Sequence, residues 1–331
     1  MFATRSIISA AIVTARRTER IAISTPGDFR IAHRRPFEGA DADELLPYCL
    51  DVLRRRSVYV GGVDPKGAQS APFYYLYLRR NAARIVSVPW ERGALAPDAT
   101  RAPIFLFSPG RCGSTLLSRL LSQAGIANVS EPDFYTQATT AMAAAPLNPF
   151  RGRIAEAAAA MGADLAAALD PAQPPVVKLR AESCRAPQLL VRDSERRTIF
   201  MTRGFEAWAR SNGRAFRNGA RKSVRKYLTA MSGYAWVKRN SDCHLVRYER
   251  LMAEPSAEAA ALAAFLGRAI PAGAVSSTMK EDSQDGTPLQ RGARSDLPGW
   301  ERRFDATMAL WNSAKVRRAR EGLGVEELCT G

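Results

Sequence analysis

The segment from Pro103 to Leu121 constrains the fold of this chain more than any other part of the sequence. An apolar run, Ile104 to Phe107, ends in a glycine-rich turn, and leucines at helical spacing follow the turn. A strand, a turn and a helix in this order direct several backbone N–H groups and the helix N-terminus toward one point. Such an arrangement binds phosphate or sulfate, so the sequence predicts an oxyanion site at residues 110–115.

The turn differs from the phosphate-binding loop of nucleoside triphosphatases. That loop requires a lysine between its second glycine and its Ser or Thr. Here Ser114 follows Gly113 directly, and the nearest cation is Arg111. The sequence therefore predicts a loop that binds an oxyanion without the lysine that a nucleoside triphosphate requires. Six residues are expected to hold the anion through backbone or side chain: Gly110, Arg111, Cys112, Gly113, Ser114 and Thr115.

From Ile104 onward, strand patterns alternate with helix patterns as far as residue 266. Strands are predicted at 104–107, 126–129, 176–179, 198–202 and 244–247. Helices are predicted between these strands, and one of them is predicted at 184–193. Strands separated by helices form a parallel sheet covered on both faces, and ligands bind at the carboxyl ends of its strands. The predicted fold class is therefore α/β, with a parallel sheet like that of P-loop NTPases.

The first hundred residues lie outside this alternation, and we predict that they form an appended α+β segment. Apolar spacing predicts a helix at 41–56, and aromatic and β-branched residues predict strands at 72–78 and 83–88. The aromatic residues at 73, 74, 75 and 77 favour core packing over the lining of an acceptor pocket.

These patterns predict three parts of the chain. Residues 1–22 form a ragged N-terminus. Residues 23–100 form an N-terminal segment that is a candidate for the acceptor-binding side of the protein. Residues 101–331 form the α/β domain.

The charge of the chain favours an anionic ligand. The formal net charge is +16, and basic clefts concentrate anions. The basic residues are scattered without a helix-turn-helix, zinc-finger or aromatic RNA-binding signature, which disfavours nucleic acid as a partner. No cluster of His, Cys or carboxylate side chains has metal-ligand spacing, so we predict no metal.

Apolar runs and cysteines indicate where in the cell the protein is located. No run of 18 apolar residues could span a membrane. The five cysteines are odd in number and far apart, which predicts free thiols in a reducing compartment and hence a cytoplasmic protein. The oligomeric state stays open.

Three segments carry a resemblance to a known family. Pro109 to Leu117, PGRCGSTLL, resembles the phosphosulfate-binding loop of sulfotransferases that use 3'-phosphoadenosine 5'-phosphosulfate (PAPS). The arginine in the loop is typical of the branch with the tyrosylprotein and carbohydrate sulfotransferases. Residues 197–211 resemble the family's second cofactor motif, and residues 244–267 resemble its late strand and helix. The three matches follow one another over 103–267, about half of the chain.

The resemblance implies PAPS as the cofactor, 3'-phosphoadenosine 5'-phosphate (PAP) as its product, and no metal. The loop would bind the phosphosulfate, with Cys112 in place of the family's usual serine. Arg203 and Ser211 keep the spacing of the family's 3'-phosphate ligands. Ser283, together with the pair Arg291 and Gly292, would belong to a late loop that closes over the cofactor.

The resemblance also implies catalytic roles. Lys178 would stabilise the bridging oxygen of the leaving phosphate, and Arg111 would add a charged, forked donor. Cytosolic aryl sulfotransferases have a catalytic histidine two residues after this lysine, but this chain has Arg180 there. We therefore predict Glu131 as the base, as in the tyrosylprotein branch. Reserve candidates are Asp133 and Glu182.

The predicted function is transfer of a sulfuryl group from PAPS to a hydroxyl of a small-molecule, glycan or peptide acceptor. Whether oxygen or nitrogen of the acceptor is sulfated stays open. Two alternatives belong to other classes of protein: a P-loop kinase or NTPase, and a non-catalytic relative that binds anions or nucleic acid. The missing lysine of the loop counts against the first alternative.

Overall fold

The structure is a computed structural model. It describes residues 8–15, 22–37, 45–95, 102–145, 147, 149–169, 173–191, 194–281 and 297–329. The chain divides into two compact units. The first consists of Met1–Ile104 and Ala127–Leu179, and the second consists of Phe105–Ile126 and Arg180–Gly331. The boundaries predicted at residues 22 and 100 stay a prediction.

The described residues form strands and helices in the following order. The strands are β1 (Ile8–Ala15), β2 (Phe29–Pro36), β3 (Leu46–Asp51), β4 (Arg56–Gly61), β5 (Arg84–Pro89), β6 (Ile104–Phe107), β7 (Asn128–Ser130), β8 (Val176–Lys178), β9 (Arg197–Thr202) and β10 (Asp242–Arg247). The helices are α1 (Pro65–Ser70), α2 (Tyr74–Asn81), α3 (Ser114–Gln123), α4 (Asp133–Ala144), α5 (Arg151–Leu169), α6 (Phe205–Ala215), α7 (Ala220–Asn240), α8 (Tyr248–Ala253), α9 (Pro255–Leu266), α10 (Ala272–Lys280), α11 (Trp300–Trp311), α12 (Ala314–Leu323) and α13 (Glu326–Cys329).

A five-stranded sheet organises the N-terminal part of the first unit. Its strand order is β2-β1-β5-β4-β3, and its pairs are antiparallel. β1 lies inside the segment 1–22, which we predicted to be ragged, so part of that segment is regular. Together with α1 and α2 this sheet confirms the predicted α+β character of the N-terminal segment.

The helix predicted at 41–56 was wrong. β3 and β4 occupy residues 46–61 of the chain, and residues 41–44 lie outside the described ranges. All β3 residues from Leu46 to Leu50 are buried, and both α4 and α5 contact this strand. A strand that is covered in this way needs an unbroken apolar run, which also satisfies the spacing of a helix.

The strand predicted at 72–78 was also wrong, because α2 covers most of these residues. Tyr74, Tyr75 and Leu78 are fully buried, and their spacing places them on one face of a helix. Aromatic residues favour strands only where a sheet can pack them, and here helix packing decides. The neighbouring strand prediction at 83–88 is confirmed by β5.

The α/β prediction is confirmed by the second sheet. Its five strands have the order β10-β9-β6-β8-β7. The pairs β9–β10, β6–β9 and β7–β8 are parallel, with Phe105 opposite Thr198 and Asn128 opposite Val176. Each strand lies within two residues of its predicted bounds.

The helix predicted at 184–193 is replaced by two short 3-10 turns, Ala181–Arg185 and Pro187–Leu189. Pro187 disfavours a helical backbone in the residue before it, and Ala186 has a φ of −145°. The pattern of the sequence is helical, but the proline interrupts it.

A buried ion pair stabilises the first unit. The guanidinium of Arg79 lies 3.2 Å from the carboxylate of Asp28, and their side chains are 1% and 3% exposed. Tyr48 donates a hydrogen bond to Asp28 at 2.6 Å and accepts one from Arg79 at 3.0 Å. Ser24 accepts a further bond from Arg79 and donates one to Asp133 at 2.8 Å. The network thereby connects α2 and α4 with the antiparallel sheet.

We predict that Asp28→Ala lowers the free energy of unfolding by about 3–5 kcal/mol, because it leaves the Arg79 charge buried and uncompensated. Urea denaturation measures this loss. The control is Glu91→Ala, which removes a half-exposed partner of Arg153. An exposed pair contributes at most about 1 kcal/mol, so equal losses in the two variants would contradict the prediction.

Candidate active site

The loop between β6 and α3 has an unusual backbone. Gly110, Arg111 and Gly113 have positive φ angles of 71°, 57° and 90°. Among the described residues, Arg55, Arg111 and Glu131 are the non-glycine residues with positive φ. Such a conformation costs about 1–3 kcal/mol and persists only where the surroundings impose it. Successive turns of this kind direct N–H groups into a concave surface that accepts an anion.

Contacts within the second unit fix the shape of this loop. The carbonyl of Gly110 accepts a hydrogen bond of 2.7 Å from the indole of Trp208, which is fully buried. The N–H of Gly110 donates to the hydroxyl of Ser108, and the Cys184 thiol lies 3.5 Å from the Ser108 carbonyl. The loop is therefore held by the protein core.

The N-terminus of α3 completes the concave surface. Gly113 is its N-cap residue, and no side chain caps the helix. The first intrahelical bond runs from the Leu117 N–H to the Gly113 carbonyl, so the N–H groups before Leu117 have no partner within the helix. Ser114 and Thr115 are buried in this first turn. An uncapped helix N-terminus carries partial positive charge and suits an anion.

Arg203 and Gly113 contact the same aromatic ring. A Cβ at Gly113 would lie 2.5 Å from Cδ2 of Tyr248, so only glycine allows the loop to approach this ring. The guanidinium of Arg203 lies over the ring of Tyr248, 4.4 Å from its centre. Tyr227 donates a hydrogen bond of 2.6 Å to the Arg203 carbonyl. The Nε atom of Arg203 is buried and has no hydrogen-bond partner.

Ser211 lies next to the loop. Nε of Arg111 donates a hydrogen bond to the Ser211 hydroxyl at 3.2 Å. Arg203 precedes Gly204, the N-cap residue of α6, as the sequence suggests, and Ser211 lies within that helix. The second unit therefore brings together the loop, Arg203 and Ser211, which are far apart in the sequence.

Other predicted cofactor residues differ in their placement. The Cys112 side chain is fully buried, with its sulfur 3.5 Å from the carbonyl of Met201, so only its backbone can face a ligand. Ser283, Arg291 and Gly292 lie outside the described residues.

In the first unit, Glu131 and Lys178 form an ion pair. Nζ of Lys178 lies 2.8 Å from Oε1 of Glu131 and 3.1 Å from the hydroxyl of Ser130. The side chains of the lysine and the glutamate are 3% and 15% exposed. Glu131 follows β7 with a φ of 63°, and its N–H donates to the carbonyl of Lys178 at 2.7 Å. The pair therefore holds the carboxylate in a defined orientation at the carboxyl ends of two parallel strands.

The N-terminal segment contributes to this pair. The ring centre of Phe73 lies 5.4 Å from Nζ of Lys178, and the hydroxyl of Ser130 donates to the carbonyl of Pro72 at 2.7 Å. Phe73 is buried, as its predicted core packing requires, but its contact with Lys178 was not predicted. No local pattern could reveal it, because the two segments are about a hundred residues apart. Trp208 and Tyr248 were missed for the same reason.

The two reserve candidates for a base are less suitable. Asp133 is fully buried and accepts hydrogen bonds from the N–H and the hydroxyl of Ser24, which makes it part of the structural network. Burial raises the pKa of Glu182, but the charges of Lys226 and Arg180 outweigh this effect and lower it. A lowered pKa weakens a general base at neutral pH.

Three further properties concern metals, membranes and thiols. Within the described ranges, no group of three or more His, Cys, Asp or Glu side chains is arranged to hold a metal ion. None of the helices in those ranges is long and apolar enough to cross a membrane. All five cysteines are free, and Cys243 alone among them is partly exposed.

We predict that Gly113→Ala destabilises the protein more than Gly267→Ala. Both glycines have positive φ, which costs a residue with a Cβ about 1–2 kcal/mol. A Cβ at Gly267 would meet no atom within 4 Å, whereas one at Gly113 would also collide with Tyr248. Urea denaturation of the two variants measures the difference in the free energy of unfolding. Equal losses of this free energy would show that Tyr248 can move away from a Cβ at residue 113 without cost.

No protein-family model and no curated protein sequence matches the chain. Solved structures similar to it include a sulfotransferase domain from the curacin biosynthetic pathway, with 15% identity, a TM-score of 0.41, and coverage of 68% of this chain and 98% of the other. A sulfotransferase domain from the Synechococcus PCC 7002 olefin synthase has 16% identity, a TM-score of 0.40, and coverage of 70% and 98%. A mouse sulfotransferase complexed with PAP, SULT7A1, has 14% identity, a TM-score of 0.38, and coverage of 67% and 89%.

Proposed function

We propose that this protein is a sulfotransferase that transfers a sulfuryl group from PAPS to a hydroxyl of a small-molecule, glycan or peptide acceptor. The observation that carries the proposal is the hydrogen bond between Arg111 and Ser211. It joins the anion-binding loop to the second predicted motif within one unit. A ligand with anionic groups at two positions suits this arrangement better than a single phosphate does.

The described residues fit such a ligand. The uncapped N-terminus of α3 and the left-handed residues of the loop suit one oxyanion. The buried, unpartnered Nε of Arg203 suits a second, because a buried donor needs an acceptor. We assign the phosphosulfate to the loop and the 3'-phosphate to Arg203 and Ser211. The net charge of +16 supports an anionic ligand of this kind.

The ion pair of the first unit supplies the acid–base chemistry in this proposal. When bound, PAPS supplies an activated sulfate, so the protein must position the reactants, stabilise charge and accept one proton. Glu131 accepts the proton of the acceptor hydroxyl on its carboxylate. Lys178 orients that carboxylate through the contact with Oε1 and stabilises negative charge on the leaving group. Lys178 is the last residue of β8 and Glu131 follows β7, so both lie at carboxyl ends of parallel strands, where open α/β sheets bind ligands.

We also propose a reducing, cytoplasmic location, which is supported by the five free thiols.

Calorimetry with three ligands tests the proposed function. We expect PAP to bind tightly without Mg²⁺, because positive charge from the protein replaces the metal. A preference for Mg-ATP would instead indicate a kinase or NTPase. Salt-sensitive DNA binding without any nucleotide binding would indicate a non-catalytic relative.

We predict that Arg203→Ala weakens the binding of PAP more than the binding of adenosine 5'-monophosphate, which lacks the 3'-phosphate. A hydrogen bond to a charged group contributes about 1.5–3 kcal/mol, so the affinity for PAP should fall by roughly tenfold to a hundredfold. Calorimetric titrations measure both affinities. Arg210→Ala is the control, because Arg210 is an exposed residue of α6. Equal losses for the two nucleotides would remove Arg203 from the 3'-phosphate site.

We predict that Glu131→Gln lowers turnover by about 100-fold or more, the scale of general-base catalysis, with PAP affinity unchanged. Glutamine keeps the size of the side chain and a carbonyl that can accept the bond from Lys178. Turnover is measured with labelled PAPS and an acceptor that gains one sulfuryl group. The control is Glu91→Gln at an exposed site of the same unit. Wild-type turnover in Glu131→Gln would assign the base to another residue.

A further inference from the structure

A lysine approaches the loop whose own sequence lacks one. Nζ of Lys226 lies 3.9 Å from the position that a Cβ on Gly110 would occupy. The other atom within 4 Å of that position is Cβ of Ala181, at 3.4 Å. Gly110 has no side chain, so the ammonium lies close to the backbone of the loop at this residue.

The packing of α7 holds Lys226 in this place. Lys226 is half-buried and lies one and two turns before Ala230 and Gly233 on one face of α7. A Cβ at Gly233 would lie 2.7 Å from the carbonyl of Cys184, so α7 approaches the turn Ala181–Arg185 closely. The thiol of Cys184 in turn contacts the Ser108 carbonyl at the start of the loop. The close packing of α7 therefore positions the lysine.

A carboxylate lies near Lys226. The charges of Lys226 and Arg180 outweigh burial and lower the pKa of Glu182, which therefore stays a carboxylate near Lys226. By contrast, Lys222 lies one turn earlier on α7 and is exposed to solvent. An ammonium near a single carboxylate can also attract a more highly charged anion.

We infer that Lys226 is a cofactor-binding residue whose ammonium binds the 5'-phosphosulfate end of PAPS, in place of the lysine that the loop lacks. This inference rests on the proposed function. The guanidinium of Arg203 lies over the ring of Tyr248, and this ring approaches the loop at Gly113. Lys226 approaches the loop at Gly110. We assign Lys226 to the 5' end of the nucleotide and Arg203 to its 3'-phosphate. A lysine binds phosphate as a compact point charge.

Titrations with two nucleotides test the inference without measuring turnover. PAP carries phosphates at both ends, whereas adenosine 3'-monophosphate lacks the 5'-phosphate. We expect Lys226→Met to weaken the binding of PAP by about tenfold to a hundredfold, the scale of a charge-assisted bond, and to leave the binding of adenosine 3'-monophosphate unchanged. Lys222→Met is the matched control on the same helix and should bind both nucleotides like the wild type. Lys226→Arg, which keeps the charge, should bind PAP more tightly than Lys226→Met.

The outcomes separate this inference from the proposed function. If the wild type does not bind PAP, the proposed function fails whatever Lys226 does. If the wild type binds PAP and Lys226→Met binds it equally well, the inference is overturned. Equal losses for both nucleotides would also overturn it, because the lysine would then not serve the 5' end.

Chemical labelling of the wild type keeps the inference testable if Lys226→Met fails to fold. Acetic anhydride acetylates accessible lysines, and mass spectrometry measures the modified fraction at each position. PAP should protect Lys226, adenosine 3'-monophosphate should protect it less, and Lys222 should be modified equally in all samples. Acetylation of Lys226 at the same rate with and without bound PAP would overturn the inference.

Discussion

The second unit depends on the close approach of the Tyr248 ring to Gly113. Any Cβ at this position would collide with the ring, so the absence of a side chain allows the start of α8 to lie against the loop before α3. The same ring carries the guanidinium of Arg203. One aromatic side chain therefore lies between the glycine-rich loop and Arg203, which follows β9.

Contacts within the second unit hold the shape of the loop. Trp208 holds the carbonyl of Gly110, Ser108 accepts from its N–H, and Arg111 keeps a left-handed backbone. In the proposed function this loop binds an oxyanion, and such sites act through donors that are already aligned and need little reorganisation. Glu131 shows the same feature in the first unit, since it combines a left-handed backbone with an ion pair to Lys178.

Local patterns predicted the parallel sheet well and the N-terminal segment badly. The parallel strands are short runs that helices separate along the chain, except between β8 and β9, so most of their boundaries are visible in the sequence. β3 is a buried run whose spacing also fits a helix, and α2 is an aromatic run whose composition also fits a strand. Both were misassigned, because the packing of α4 and α5 on β3, and of α2 into the core, decides between the two structures.

The sequence by itself predicted the strand, turn and helix at residues 103–121 and the positions of the parallel strands along the chain. Turn-forming residues and hydrophobic periodicity are local properties, because a few neighbouring residues are enough to determine them. Only the tertiary structure decided that Ser211 meets Arg111, that Phe73 faces Lys178 and that Lys226 approaches Gly110. These contacts join segments that are dozens of residues apart, and they arise from the packing of whole helices, which no local pattern encodes.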